Sequence, residues 1–277
     1  MEKRTVVFDT DLSIEAYQFE GIKQKFPNHF HEFYVLGFIE RGRRYLSCKQ
    51  KEYTIDAGDL LLLNPYDNHF CEQIGAEALD YRSIHIMPER MKELTMLLTG
   101  EAFLPVFKQN VVVGYEGLIE LKSIHKQINL IENRLEKEET LFLFLKDILE
   151  KYAQPQRTEQ QLSGGVGLAC AFIEEHYTEQ VTLEALSQHT GINPFTLIRQ
   201  FTKEKGVTPH QYLTTIRIGA GRKFLEQGLS PLEAAGCCGF ADQSHFSRYF
   251  KQLIGITPKK YMDIFRWETL DEKNREP

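Results

Sequence analysis

The sequence predicts an α+β chain of two domains: an N-terminal β-barrel followed by helices, then an all-α domain with two helix-turn-helix units joined by a connecting helix. Three observations carry this. Residues 1 to about 88 alternate like strands between regular turn signals. From Pro88 the apolar residues recur at helical spacing instead. The stretch from Thr182 to Tyr261 then says nearly the same thing twice, 49 residues apart.

In the first half, Phe33 to Ile39 is rich in β-formers and ends in a turn at Glu40-Arg41-Gly42-Arg43. Tyr45 to Cys48 is answered, across Lys49 to Glu52, by Tyr53-Thr54-Ile55. Ala57-Gly58-Asp59 turns into Leu60 to Leu63, Asn64-Pro65 stops that run, and Arg82 to Ile86 closes the series. Many short strands between turns suggest a small barrel or jelly roll, which can enclose one small ligand. Beyond it, Glu89 to Leu98 is a short amphipathic helix. Glu116 to Glu136 carries Leu121, Ile124, Ile128, Ile131 and Leu135 at 3-4-3-4 spacing, which is either a dimer seam or a helix packed on its own barrel. Leu141 to Leu145 is apolar all round and is expected to be buried on every side. Polar residues 153–165 form a linker, so the domains are 1–152 and 166–267.

The second half begins with a helix over Val166 to Tyr177, with Ala169, Phe172 and Ile173 inward. The repeat follows. Leu183-Glu184-Ala185 overlays Leu232-Glu233-Ala234, Phe201 overlays Phe250, Gly206 overlays Gly255, Thr208-Pro209 overlays Thr257-Pro258, and Tyr212 overlays Tyr261. Each copy is a short helix, a Gly-containing turn and a longer helix. Thr182, Asn193 and Asp242 are N-caps, Ser230-Pro231 opens a helix, and Gly191, Gly206 and Gly255 are stops. Between the copies, Pro209 to about Gln227 repeats Tyr212, Ile216, Ala220 and Phe224 every four residues. That helix spans roughly 28 Å, close to the ~34 Å between successive groove faces of DNA. Gly219 and Gly221 weaken it by about 1 kcal/mol each, and close packing of neighbouring helices is the reading for them. A short helix after Tyr261 is expected to end near Trp267.

The run from Gly239 to Lys251, Gly-Phe-Ala-Asp-Gln-Ser-His-Phe-Ser-Arg-Tyr-Phe-Lys, followed by Gly255-Ile256-Thr257-Pro258-Lys259-Lys260-Tyr261, resembles the signature of the AraC/XylS family of transcription regulators. The similarity covers about 100 C-terminal residues. It implies two helix-turn-helix units reading successive major-groove segments of double-stranded DNA. It also implies a homodimer built through the helices that follow the barrel, with RNA polymerase as a further partner. Helix stripes turn Leu197, Phe201, Phe246 and Phe250 inward. The exposed early turns are then Phe195, Thr196 and Arg199 in the first unit and Gln243, Ser244, His245 and Arg248 in the second. Arg suits guanine, Gln suits adenine, and Phe195 can meet thymine methyls. Ile198 stands where a polar residue is expected.

His29-Phe30-His31, Gly58-Asp59 and His69 resemble the cupin pattern, the usual N-terminal partner in this family. The three histidines have metal-binding spacing, but Val35 and Leu36 stand where a carboxylate ligand is expected. A polar cluster that fixes a small-molecule effector through His31, Tyr34 and His69 is therefore preferred to a metal. No cofactor and no catalytic residue is assigned; the alternatives are a metal-dependent cupin enzyme with a helical appendage and a regulator whose barrel is filled by its own side chains.

The net charge of −6 argues against indiscriminate coating of nucleic acid. It is uneven, with 18 Lys/Arg against 25 Asp/Glu in residues 1–150 but 11 against 9 in residues 166–266. No run of 18 apolar residues and no signal-peptide core appears, so no membrane span is expected. Five cysteines without a Cys-x-x-Cys pair fit a reducing cytoplasm, and Cys237-Cys238 reads as buried small hydrophobes.

Overall fold

Alternation in the first half becomes two antiparallel sheets in the computed structural model, which describes residues 2–130, 134–155 and 164–273. The strands are β1 (Lys3–Asp9), β2 (Ile14–Ile22), β3 (Phe26–His29), β4 (Tyr34–Arg41), β5 (Arg44–Cys48), β6 (Lys51–Ile55), β7 (Leu60–Leu63), β8 (His69–Gln73) and β9 (Leu79–Ile86), followed by α1 (Pro88–Thr99), β10 (Pro105–Phe107) and β11 (Val111–Val112). One sheet has the order β1-β2-β9-β4-β7-β11 and the other β3-β8-β5-β6. The chain divides into two compact units, residues 1–26 with 30–158, and residues 27–29 with 159–277.

Parity along the strands sorts the residues of the larger sheet. Ile14, Ala16, Tyr34, Leu36, Phe38, Leu60, Leu62, Ile84 and Ile86 form one buried cluster with the helices, so Glu15, Tyr17, Val35, Gly37, Ser83 and His85 turn to the opposite face. The helices in that cluster are α1, α2 (Leu118–Leu130) and α3 (Arg134–Tyr152). Here the structure corrects two expectations. The predicted helix over 116–136 is α2 plus the start of α3, and Leu121, Ile124 and Ile128 are buried against the sheet of their own chain. Leu135 is 63% exposed, and Ile131 lies outside the described residues. The 3-4-3-4 spacing is thus used inside the chain, where a flat sheet face accepts a heptad-like stripe as readily as a second helix does. Leu143 is 65% exposed, so the 141–145 run is not buried on every side. Of the expected linker, Ala153–Pro155 forms β12, paired with β10, and residues 156–163 lie outside the described residues.

Lys137 on α3 is buried and reaches Asp9 and Asp11, each at 2.7 Å, fastening the helix to the end of β1. On α2, the fully buried His125 donates from Nε2 to the Tyr17 carbonyl at 2.9 Å.

The second unit is helical: α4 (Gly164–His176), α5 (Leu183–Thr190), α6 (Pro194–Lys205), α7 (Pro209–Glu226), α8 (Pro231–Cys237), α9 (Gln243–Ile254) and α10 (Pro258–Lys273). The sequence repeat persists as geometry. Phe201 meets Tyr212 edge-on with centroids 5.4 Å apart, and their counterparts Phe250 and Tyr261 are 5.5 Å apart. Gly206 and Gly255 both close their helices in the left-handed region. A Cβ at Gly221 would collide with the Phe246 ring, so α7 and α9 approach closely at that point. The two vicinal cysteines separate: Cys238 is buried but Cys237 is exposed, because the end of α8 has only one inward side. Helix α10 begins at Pro258, before Tyr261, and continues past Trp267.

Burial pushes the His125 imidazole down to about 4, against the opposing effect of its bond to the Tyr17 carbonyl. An unfolded chain takes up this proton near pH 6.5, whereas the folded one stays neutral until about pH 4. The stabilisation is therefore complete above pH 6.5 and is lost as pH falls toward 4, amounting to about 2 kcal/mol at pH 5. Urea unfolding of the N-terminal unit at pH 7 and pH 5 is expected to show this loss, and His125→Gln is expected to flatten the slope.

Candidate nucleic-acid interface and effector pocket

Helix α9 is built to present its first turn outward. The Asp242 side chain accepts from the His245 backbone N–H at 2.8 Å, capping the helix and holding the Asp242 carboxyl below its usual range. Phe246, Phe250 and Ile254 are buried. Gln243, Ser244, His245 and Arg248 are left exposed on the other side, and the Arg248 guanidinium lies 5.1 Å from the Tyr249 ring centroid. Helix α6 follows the same plan. Asn193 caps it by accepting from Phe195 N, Pro194 opens it, and Leu197 and Phe201 are buried. Phe195 is 84% exposed, Arg199 is exposed and Thr196 is half-buried. Ile198 lies in an apolar groove with Leu183, Leu186 and Leu213.

In the first unit, a column of rings crosses the space between the sheets. Tyr17 stacks on His85 at 3.9 Å, His85 on Phe33 at 4.7 Å, and Phe33 on His31 at 4.7 Å; His31 lies 5.2 Å from His69. Glu15, paired in register with His85, accepts from the Tyr17 hydroxyl at 3.0 Å. At the centre, Tyr81 lies over Gly37, where a Cβ would strike its ring. Burial lowers the His69 pKa, only partly offset by the Asp67 carbonyl and charge, so its imidazole is neutral at pH 7. The structure brings His31 and His69 together but not Tyr34. One residue of parity places Tyr34 on the helix-facing side, its hydroxyl donating to the Pro105 carbonyl at 2.9 Å. His85 and Phe33 belong to the column yet were not singled out from sequence. The available signal was a lone histidine between two isoleucines in a strand, Ile84-His85-Ile86.

Two family models match the chain: an AraC-like ligand binding domain over residues 11–145 and a helix-turn-helix domain over residues 186–264. An uncharacterized HTH-type transcriptional regulator of Bacillus subtilis, YbfI, is 47% identical over 246 residues, covering 88% of this chain and 90% of its own length. The chain belongs to the AraC/XylS family. Another member, the HTH-type transcriptional activator RhaS of Escherichia coli, is 26% identical over 84% of this chain and 86% of its own. The apo form of a ToxT variant from Vibrio cholerae shares the fold at a TM-score of 0.57 and 18% identity, covering 94% of this chain and 99% of that one. Like other AraC/XylS proteins, this chain is a DNA-binding transcription regulator with an effector-binding N-terminal domain. Its relatives are regulators, which sets aside the metal-dependent enzyme alternative.

Removing the α9 cap tests how its first turn is held. Asp242→Ala is expected to destabilise the C-terminal unit by about 1 kcal/mol in thermal melts, and Asp242→Asn, which retains an acceptor, by a small fraction of that.

Proposed function

We infer that this regulator reads DNA through the leading turns of α6 and α9, and that a small molecule held between the N-terminal sheets alters that reading. The observation that carries this is the division of α9, with an apolar side anchored by Phe246, Phe250 and Ile254 and a capped first turn that leaves Gln243, Ser244, His245 and Arg248 outward. Arg248 and Arg199 offer paired donors to the two acceptors of guanine, and Gln243 offers the bidentate match to adenine. Phe195 packs on thymine methyls, and Thr196, Ser244 and His245 complete the contacts with base edges or phosphates.

The effector site is the ring-lined space bounded by His31 and His69, with Phe33 and His85 behind them; Tyr34 lies outside it. The working protein is a homodimer in the cytoplasm, and RNA polymerase is a partner where it activates. In support of a dimer, Leu135, Phe142 and Leu143 fall within roughly a 100° sector of α3, and Leu135 and Leu143 are largely exposed. Effector binding shifts the geometry of the two copies and so the spacing of their recognition helices on DNA.

Selection of bound duplexes from a random pool, with and without candidate metabolites, tests the reading. The expected result is an enriched sequence whose occupancy changes with one metabolite; recovery of unenriched DNA under every condition contradicts it. On the selected site, Arg248→Ala is expected to weaken binding by about 5- to 150-fold, equivalent to ~1–3 kcal/mol, in a mobility-shift assay.

A further inference from the structure

We propose that the buried guanidinium of Arg44 binds a carboxylate, supplied by the small molecule held between the N-terminal sheets. The proposal rests on that reading of the effector site and names the chemical class of its ligand. Residues opposite one another in an antiparallel ladder share a face. Arg44, Leu46 and Cys48 on β5 therefore point the same way as their partners Gln73, Cys71 and His69 on β8. Tyr45 and Phe70 meet on the opposite face, with ring centroids 5.6 Å apart. His69 borders the ring-lined space, and Arg44 stands further along the same face, about 13 Å away at ~3.4 Å per residue.

The hydrogen bonding of Arg44 is the second observation. Its side chain has no exposed surface. The two terminal nitrogens donate to the carbonyls of Gln24, at 3.3 Å, and of Ile22. The remaining nitrogen, Nε, is enclosed and has no acceptor. Among the described residues Lys137 and Arg222 are the other buried cations, and both have carboxylates: Asp9 and Asp11 for Lys137, Glu226 for Arg222. No described acid pairs with Arg44. Glu2, whose charge reaches it, is exposed and engages Arg4 and the Lys23 backbone N–H. Cys71 is no counter-ion either, because burial pushes its thiol up to about 11 and keeps it neutral at pH 7.

A charge taken out of water is costly unless an opposite charge compensates it. Two carbonyls satisfy N–H groups but leave the positive charge unneutralised, and burial accordingly lowers the Arg44 pKa. A tie between β5 and the end of β2 needs only a neutral donor, which an amide side chain supplies without burying a charge. A ligand carboxylate provides what is missing: it accepts from Nε and from a terminal N–H together, the bidentate pairing for which a guanidinium is shaped. One carboxylate balances one guanidinium, whereas a phosphate dianion buries an excess negative charge, so the site favours the carboxylate. The ring-lined end, where His69 is neutral, then takes the uncharged remainder of the molecule.

The test is calorimetric titration of the full-length chain with acetate, hexanoate and phenylacetate, each paired with its primary amide, and with inorganic phosphate. At least one acid is expected to bind about 30-fold or more tightly than its amide, and phosphate is expected to show no saturable binding. Arg44→Met is expected to bring that acid down to the affinity of its amide. Arg44→Lys keeps the charge but not the paired donors and is expected to fall between; it carries the test if circular dichroism shows Arg44→Met unfolded. Loss of the carbonyl ties alone weakens acid and amide alike, so the ratio of the two affinities separates charge pairing from a structural role. The proposal is overturned if no acid outbinds its amide in the wild-type chain, if phosphate binds in place of the acids, or if the preference persists undiminished in a folded Arg44 variant. An acid that binds through Arg44 without changing occupancy of the selected duplex contradicts the effector reading and leaves the pairing intact. A neutral metabolite that changes occupancy, with no acid outbinding its amide, does the reverse.

Discussion

Eighteen residues of helix α7 set the distance between the two helix-turn-helix units, and side chains from both of its ends hold it in place. Toward its start, the Tyr212 hydroxyl donates to Glu174 at 2.5 Å, and Arg217 donates to the carbonyls of Tyr177 and Glu179 at 2.7 and 2.8 Å. Toward its end, Arg222 donates to the Tyr261 hydroxyl at 2.6 Å, which in turn donates to Glu226 at 2.7 Å. Tyr212 and Tyr261 are counterparts in the repeat, so each copy contributes the same residue to fastening the shared helix. At 1.5 Å per residue the helix is roughly 27 Å long, near one turn of DNA. Gly221 belongs to the same constraint: it gives up about 1 kcal/mol of helix propensity to admit the Phe246 ring.

The N-terminal unit divides its labour by strand parity. One face of the larger sheet is apolar and covered by α1, α2 and α3; the other carries Glu15, Tyr17, His85 and the ring column leading to His31 and His69. Polar side chains on that inner face are supported by hydrogen bonds, such as Tyr17 to Glu15, and by stacked rings.

Much of the C-terminal unit was legible because its signals are short-range. Thr182, Asn193 and Asp242 are caps whose acceptors lie within three residues of their donors, and Gly206 and Gly255 stop helices locally. The split of α6 and α9 into anchored and exposed sides followed from period alone. What escaped depends on distance in sequence or on a single residue of register. The Lys137 contacts with Asp9 and Asp11 join residues more than 120 apart, which no local pattern encodes. Tyr34 is expected beside His31 and His69, but strand alternation turns it to the other face. The α2 stripe left a partner helix and its own barrel equally open because a heptad spacing does not say what covers it; the sheet of its own chain does. Cys237 and Cys238 could not be separated without knowing which side of α8 faces inward.

The central claim is that two recognition helices on one chain engage successive stretches of major groove. Hydroxyl-radical footprinting of the selected site, with the wild-type chain and with Arg199→Ala and Arg248→Ala, tests it most directly. The account predicts two protected segments per chain about one helical turn, ~10–10.5 bp, apart, with each variant weakening a different one. A single protected segment per chain, or loss of the same segment in both variants, would contradict it.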